Sequence, residues 1–396
     1  MLITLLLGSL SPTPARGQFN GDFRIQRHRL ADENFLDWKA YQLPLDWRLE
    51  WELARNAMRA SVGSLSEERF YQGVELKLAK PLGRYAAIGY AQRQVSFFRP
   101  EPLLQEVELR VGEAFNASIF GWTQHVKSDG SLGAAVSYRT PDAPVFLRLS
   151  HLDQYALFNQ RSEGDDVFSP IPTVERVQFR WFAADGLHVQ GDLRSEPPSR
   201  LKEALPAASR TYSGKEGELL VLWQSPGGWT AGFEVFADQE QRGYAPGPGT
   251  AGAAAAQTLR LSWLDVFWRQ RLSPVDVASV GWLDSRFTNT IDSATPADSY
   301  RFRLFTTQGY GEWEHTQSDW LRWRYTLQVG HVHLFESTGG VRNDEELADE
   351  LQAKVGVGIA LVEPASYTVL FNTTWDIDII DKKQWDGGNI QLVLFF

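Results

Sequence analysis

The side chains in this 396-residue chain best suited to chemistry are few and scattered. His331 and His333 stand two apart, a spacing that on a strand puts both rings on one face, where they could ligate a metal. They continue the row of Trp323, Tyr325, Leu327 and Val329, so the expectation is an outward-facing polar pair near an aqueous end, with no metal bound. Ser150 and His151 would supply a hydrolase with nucleophile and base, but neighbours on a strand point to opposite faces. Gly247-Pro248-Gly249-Thr250-Ala251-Gly252 has the spelling of a dinucleotide loop, yet no helix follows it to hold a pyrophosphate. No Gly-x-Ser-x-Gly elbow and no His-Glu-x-x-His occurs, and the absence of Cys removes thiolate metal sites, disulfides and cysteine nucleophiles together. The expectation is that the chain is not an enzyme and has no catalytic residue and no cofactor.

Charge is where the chain is richer. It carries 39 Lys and Arg against 49 Asp and Glu, a net charge of -10, which argues against a nucleic-acid partner because phosphate binding needs a basic footprint. Arg176, Arg180, Arg194, Arg260, Arg301, Arg303, Arg322 and Arg324 alternate with apolar or aromatic neighbours, and so do Glu75, Glu106, Glu108, Asp192 and Glu234. Two acidic clusters, Asp344, Glu345, Glu346, Asp349, Glu350 and Asp376, Asp378, Asp381, Asp386, are expected in loops as a solvated rim. Such a rim could also hold Ca²⁺ or bridge lipid phosphates through divalent ions.

Those alternations require strands. Trp47, Leu49, Trp51 and Leu53 share one face, with Arg48, Glu50 and Glu52 on the other. Val107, Leu109 and Val111 oppose Glu106, Glu108 and Arg110, and Leu321, Trp323, Tyr325, Leu327 and Val329 oppose Arg322, Arg324, Thr326 and Gln328. Sustained period two with scarce helical periodicity makes the chain all-β. Strands are expected near 69–79, 84–97, 103–111, 114–126, 130–139, 144–153, 174–183, 187–195, 217–224, 228–237, 256–268, 275–288, 299–312, 320–334, 349–361, 365–376 and 388–396. Short connectors such as Lys80–Gly83, Gly112–Glu113, Ser225–Gly227 and Val362–Pro364 then alternate with long ones at 154–173, 196–216, 238–255, 289–298, 335–348 and 377–387. Loops segregated by length, on strands of about 9–11 residues, are what a membrane-crossing barrel has. Only a closed sheet can cross hydrocarbon, because an open edge leaves N–H and C=O groups unpaired. Lys or Arg facing lipid at midplane costs roughly 2–4 kcal/mol, so the arginine rows and Glu234 are expected to face the lumen. The 15 Trp and 12 Tyr would supply interfacial girdles.

At the amino end, Leu2–Leu10 followed by Ser-Pro-Thr-Pro-Ala-Arg-Gly reads as a secretory signal over residues 1–17. At the carboxyl end, Ile390, Leu392, Leu394 and Phe396 share one face and the final residue is aromatic. This resembles the carboxyl-terminal signature of Gram-negative outer-membrane β-barrels, which their assembly machinery reads. The resemblance covers architecture from about residue 44 onward and implies an antiparallel up-and-down transmembrane β-barrel in the outer membrane, touching its lipid and lipopolysaccharide. If 44–62 is one strand interrupted near Ala54, the count is eighteen; if it is a hairpin joined by Asp22–His28, it is twenty, and sixteen is the lower bound. Residues 18–43 are then a periplasmic or lumenal segment.

Barrel size and style also resemble the outer-membrane components of exopolysaccharide export. That likeness implies a passage for a surface polysaccharide, with a periplasmic export protein as partner. The arginine-rich rows would suit anions or acidic sugars, unless they pair with the acids and simply hold the wall round. A general or anion-preferring diffusion porin, with an inward-folded charged loop, is the alternative, and a loop-based adhesin or scaffold barrel a third. The loop expected at 196–216 could supply such a constriction through a short helix over Arg200–Leu205 capped by Ser199.

Overall fold

Alternating apolar and polar residues give each segment two unlike faces, and pairing such segments side by side makes a sheet with one wet and one greasy surface. The computed structural model describes residues 57–66, 69–96, 104–125, 129–140, 145–153, 167–168, 170, 172–182, 186–203, 208–247, 254–295, 299–338, 345–363, 367–377 and 385–395. The expected signal at 1–17, the segment 18–43, the first part of 44–62 and Phe396 lie outside them.

The first strands are β1 (Ala57–Ser66), β2 (Arg69–Pro81), β3 (Ala86–Ser96), β4 (Leu104–Gly112), β5 (Phe115–His125), β6 (Asp129–Arg139) and β7 (Val145–Asp153). A two-residue β8 (Val167–Phe168) precedes β9 (Thr173–Phe182), β10 (Leu187–Glu203), β11 (Ala208–Gln224), β12 (Trp229–Pro246) and β13 (Ala255–Arg271). Then come β14 (Asp276–Ser293), β15 (Tyr300–Ser318), β16 (Leu321–Thr338), β17 (Glu345–Glu363), β18 (Tyr367–Asp376) and β19 (Trp385–Phe395). Every pairing is antiparallel and, apart from the closing pair of β1 with β19, runs between chain neighbours, except that β8 touches only the far end of β10, so β7 pairs directly with β9. β1 pairs with β2 on one side and with β19 on the other, Ala57 through Ser64 lying opposite Phe395 through Gly388. Among the described residues the pairing closes into a ring of eighteen strands, the nineteen less β8, with the upper part of β17 extending beyond its partner β18.

Burial is inverted relative to a soluble protein. Glu108 is 1% exposed while its neighbour Leu109 is 47% exposed. The buried row runs through Ser118, Arg148, Gln178, Arg180, Gln190, Glu218, Glu234, Asp265, Gln308, Arg324 and Gln328, whereas Ile119, Leu149, Trp181, Val235, Val266, Trp282 and Leu327 stand exposed. Polar groups face the enclosed lumen and apolar side chains face out, the arrangement hydrocarbon demands. No helix among the described residues is long and apolar enough to cross a membrane; strands do the crossing.

The two ends differ. At one, β2–β3, β4–β5 and β11–β12 are joined by tight turns, each with a glycine at positive φ, Gly83, Gly112 and Gly228, and Gly186, just before β10, also has a positive φ. In the Ser225–Gly228 turn, Gly228 N donates to Ser225 O while its φ of 82° places it in the left-handed region, which costs a Cβ-bearing residue energy. Both β1 and β19 open onto this same end, which identifies it as the short-turn, periplasmic side.

The opposite end departs from expectation. β10 to β17 run to 17–19 residues each, while β3 to β7 have 9–11. At about 3.3 Å per residue and about 40° of tilt, the long strands stand roughly 45 Å tall against an apolar band of about 25 Å. Connectors expected at 196–216, 238–255, 289–298 and 335–348 shrink to 204–207, 247–254, 294–299 and 339–344, because the hairpins continue above the membrane. There the outer face meets water, the apolar alternation fades, and pairing persists without its usual sequence sign. Of the short helix expected at Arg200–Leu205, Arg200–Glu203 are strand instead, and Ala204 and Leu205 lie outside the described residues. Pro197 and Pro198 occupy a bulge between Glu196 and Ser199, where missing N–H groups do no harm, and Ser199 Oγ donates to Tyr212 O at 3.4 Å. Likewise Glu345–Glu350 belong to β17 rather than to a loop.

Leu327 lies mid-band on the exposed row of β16. Leu327→Arg is expected to destabilise the barrel by about 2–4 kcal/mol in urea unfolding from lipid vesicles, with partial loss of the fast-migrating unboiled form on a gel.

Candidate functional site

The candidate site is the inner wall, where strand register sets which charges meet. On β4 and β7, buried Arg148 Nη1 donates to Glu108 Oε1 at 2.8 Å, and its guanidinium lies 5.5 Å from the Phe120 ring centre. On β9 and β10, Arg176 grips Asp192 with two nitrogens, Nε donating at 2.8 Å, and Gln178 Nε2 donates to the same carboxylate at 3.1 Å. Arg180 lies 5.0 Å from the centre of the Phe182 ring, which stacks on His188. Arg194, though exposed, sits on the inward row and pairs with Glu196. Farther round, Glu314 Oε2 accepts from Arg324 at 3.0 Å and Arg269 at 3.3 Å, Glu314 Oε1 lies 3.7 Å from Arg322, and Arg324 Nε is 3.4 Å from Glu312. These pairs brace the wall across strands.

Between the arginine sectors, β11 to β15 present a different surface. Buried Glu218, Glu234, Asp238, Glu240, Asp265 and Glu312 all occupy its inward rows, and Glu234 lies directly opposite Asp265. Like charges facing across a ladder are unfavourable, so this stretch favours hydrogen-bond donors or cations. Tyr310 supplies one, its hydroxyl donating to Asp265 Oδ1 at 3.1 Å. Arg242 supplies another, to Glu240 at 2.8 Å. Aromatic and aliphatic side chains pack among the acids in two clusters, Leu220, Leu222, Phe267, Leu283 and Tyr310, then Phe236, Leu259, Leu261, Phe287 and Leu304, with Trp263 against both. Phe236 and Trp263 stack at 3.9 Å.

Glycine makes this packing possible. Gly281 lies directly opposite Tyr310 and Gly232 directly opposite Phe267, and a Cβ at either glycine would overlap the facing ring. Each ring lies flat across the bare backbone of its partner, a cross-strand fit that no larger residue allows.

Arg176, Arg180, Arg194, Glu234, Arg322 and Arg324 therefore all stand on inward rows. Arg260, Arg301 and Arg303 do not. The inward row of β13 is Gln257, Leu259, Leu261, Trp263 and Asp265, and that of β15 is Phe302, Leu304, Thr306, Gln308 and Tyr310, which turns the three arginines outward with Phe305. They occupy the far ends of long strands, beyond the apolar band, where outward charge meets water and headgroups and carries no hydrocarbon penalty. Removing them leaves the inner wall of β11–β15 acidic rather than arginine-rich. Glu312 and Glu314 escaped notice because charges occur on both rows of β15; distance from the Asp319–Trp320 turn is the sign that separates the membrane part of a strand from its extension. Ile390, Leu392 and Leu394 share the outward row of β19, paired with Phe371, Val369 and Tyr367. Ser150 points inward and His151 outward, on opposite faces of β7, and of Gly247–Gly252 all but Gly247 lie outside the described residues.

No family model and no curated protein matches the chain. Among solved structures, it is similar to a bacterial polysaccharide outer membrane secretin (TM-score 0.41, 10% identity, 86% of this chain and 97% of that one). It is also similar to a loop-deleted OmpT of Vibrio cholerae (TM-score 0.37, 11% identity, 86% and 98%) and to OprD of Pseudomonas aeruginosa (TM-score 0.38, 8% identity, 86% and 94%). The closed ring of strands and the inverted burial are what a sheet in hydrocarbon requires. The chain has the fold of an outer-membrane β-barrel.

Glu108→Gln, which leaves Arg148 buried without its counter-charge, is expected to cost about 3–5 kcal/mol in urea unfolding, and adding Arg148→Gln should recover part of it. Gly281→Val should displace the Tyr310 ring from Asp265 and cost about 1–3 kcal/mol by overpacking, read in the same assay.

Proposed function

We propose that the barrel is a passage for export of a surface polysaccharide, and that the polymer is neutral or carries positive charge. The observation that carries this reading is the file of inward carboxylates on β11–β15, with Glu234 opposite Asp265 and half-buried Trp263 beside them. Carboxylates accept hydrogen bonds from sugar hydroxyls or ammonium groups, and neighbouring strands about 4.8 Å apart repeat the acceptors along the wall. A chain that meets many similar acceptors binds nowhere tightly and can slide. Selection for acidic sugars, which arginines at Arg260, Arg301 and Arg303 would have favoured, loses its basis once those side chains face outward.

The diffusion-porin reading called for an inward-folded, charged loop, and of the segment considered for it, 196–216, residues 196–203 and 208–216 belong to the paired strands β10 and β11. A periplasmic export protein would meet the barrel at its short-turn end. The outer face would meet lipid and lipopolysaccharide, with Arg260, Arg301 and Arg303 at the height of headgroup phosphates. The assembly machinery would read the outward row of β19. No step of bond making or breaking is assigned to the wall, and the chain is proposed to act without enzymatic activity or cofactor.

Single-channel conductance of the refolded protein, with neutral, cationic or anionic oligosaccharide added, tests this. Neutral or cationic sugar should block the current transiently, and Glu234→Gln with Asp265→Asn should shorten the blocks about tenfold, the worth of roughly one hydrogen bond to a charged group. A large conductance indifferent to every sugar would favour the diffusion porin, and preferential block by anionic sugar would overturn the charge assignment.

A further inference from the structure

We propose that His331, His333 and Asp349 form a transition-metal site on the outer face of the barrel, at the upper edge of its apolar band. His331 and His333 share the outward row of β16, and the register with β17 sets Asp349 directly opposite His333. The three side chains converge. Asp349 Oδ1 lies 3.0 Å from His331 Nδ1 and 3.2 Å from His333 Nδ1, and His331 Nδ1 lies 3.1 Å from His333 Nε2. One donor atom from each falls within 4.8 Å of the others. Metal–nitrogen and metal–oxygen bonds of about 2.0–2.2 Å in a tetrahedron set donors roughly 3.3 Å apart; His333 meets Asp349 through Nδ1 and His331 through Nε2, so its ring turns to aim one nitrogen at the ion.

The donor set names the class of metal. Two imidazoles and one carboxylate suit Zn²⁺, Ni²⁺ or Cu²⁺, whereas Ca²⁺ and Mg²⁺ require shells of oxygen. Each of the three side chains is 40–51% exposed, so an ion can enter, and the fourth position is left to water or a headgroup oxygen. Phe335 stacks on the His333 ring at 6.4 Å and 10°, which holds its orientation. Around the site, Val329 and Leu351 mark the apolar band, and Phe305 and Thr307 are the facing residues on β15. Arg303, the nearest arginine in register, is held over the Phe335 ring at 5.0 Å.

Position gives the ion a structural task. The β16–β17 register shifts between Leu334 and Phe335, immediately above His333. An ion bridging β16 to β17 just below that irregularity would pin the register where the long strands leave the membrane.

The test uses tag-free, full-length barrel in detergent, titrated with Co²⁺ for its visible absorption and with Zn²⁺ in competition with a chromogenic chelator. One equivalent should bind, excess Ca²⁺ should not displace it, and Zn²⁺ should raise the unfolding temperature. His331→Gln with His333→Gln should abolish both effects, and Asp349→Asn should weaken binding at least about tenfold, while all variants keep the fast-migrating unboiled form. Absence of stoichiometric binding, or binding that survives the double histidine substitution, would overturn the site. Should the double variant fail to fold, Asp349→Asn alone decides: unchanged affinity in that variant overturns the proposal.

Discussion

Backbone hydrogen bonding in a medium without water governs this molecule. Every N–H and C=O that enters hydrocarbon must find a partner in the protein, and a sheet can meet that demand only by having no edge. The pairing of β1 with β19 is therefore the contact on which the rest depends. It joins the first and last of the described strands, separated by more than three hundred residues, and it forces an even ring in which both open on the same side. Long-range closure of this kind carries a large loop-closure cost, recovered only when the whole ring is paired.

Closure in turn decides what each side chain faces. With the sheet curled, one row of every strand looks into an enclosed lumen and the other into lipid, and the sequence divides accordingly. Ion pairs such as Arg148 with Glu108 and Arg176 with Asp192 become possible because the lumen offers each charge a counter-charge on the next or a nearby strand. Glycines opposite Tyr310 and Phe267 let rings lie flat against the wall, so a sector of the lumen carries packed apolar clusters between its acids. The inner surface is thus a braced, mixed wall, and its acidic stretch between arginine sectors gives it chemical character.

The outer surface has two zones. Four or so apolar residues per row, such as Tyr325, Leu327 and Val329 on β16, form the lipid band, and polar residues follow above it. His331, His333 and Asp349 sit where one zone gives way to the other, as do Arg301 and Arg303 on β15. Charges that would be ruinous a few residues lower are harmless there, which is why orientation could not be inferred from charge alone.

Period-two alternation over many segments, tight turns with glycine, and an aromatic carboxyl end were enough to read an all-β transmembrane barrel, because those features follow from the local geometry of a strand in contact with lipid. Side-chain direction within the membrane was legible for the same reason: Arg176, Arg180, Arg322 and Arg324 oppose apolar rows that hydrocarbon requires. Above the membrane both faces are wet, so apolar alternation no longer reports the strand or its orientation. Only the tertiary structure could show that the hairpins continue, that Arg260, Arg301 and Arg303 turn outward, and that residues distant in sequence, His333 and Asp349 or Glu234 and Asp265, meet across a ladder. Register is a property of two strands together, and no single strand's sequence contains it.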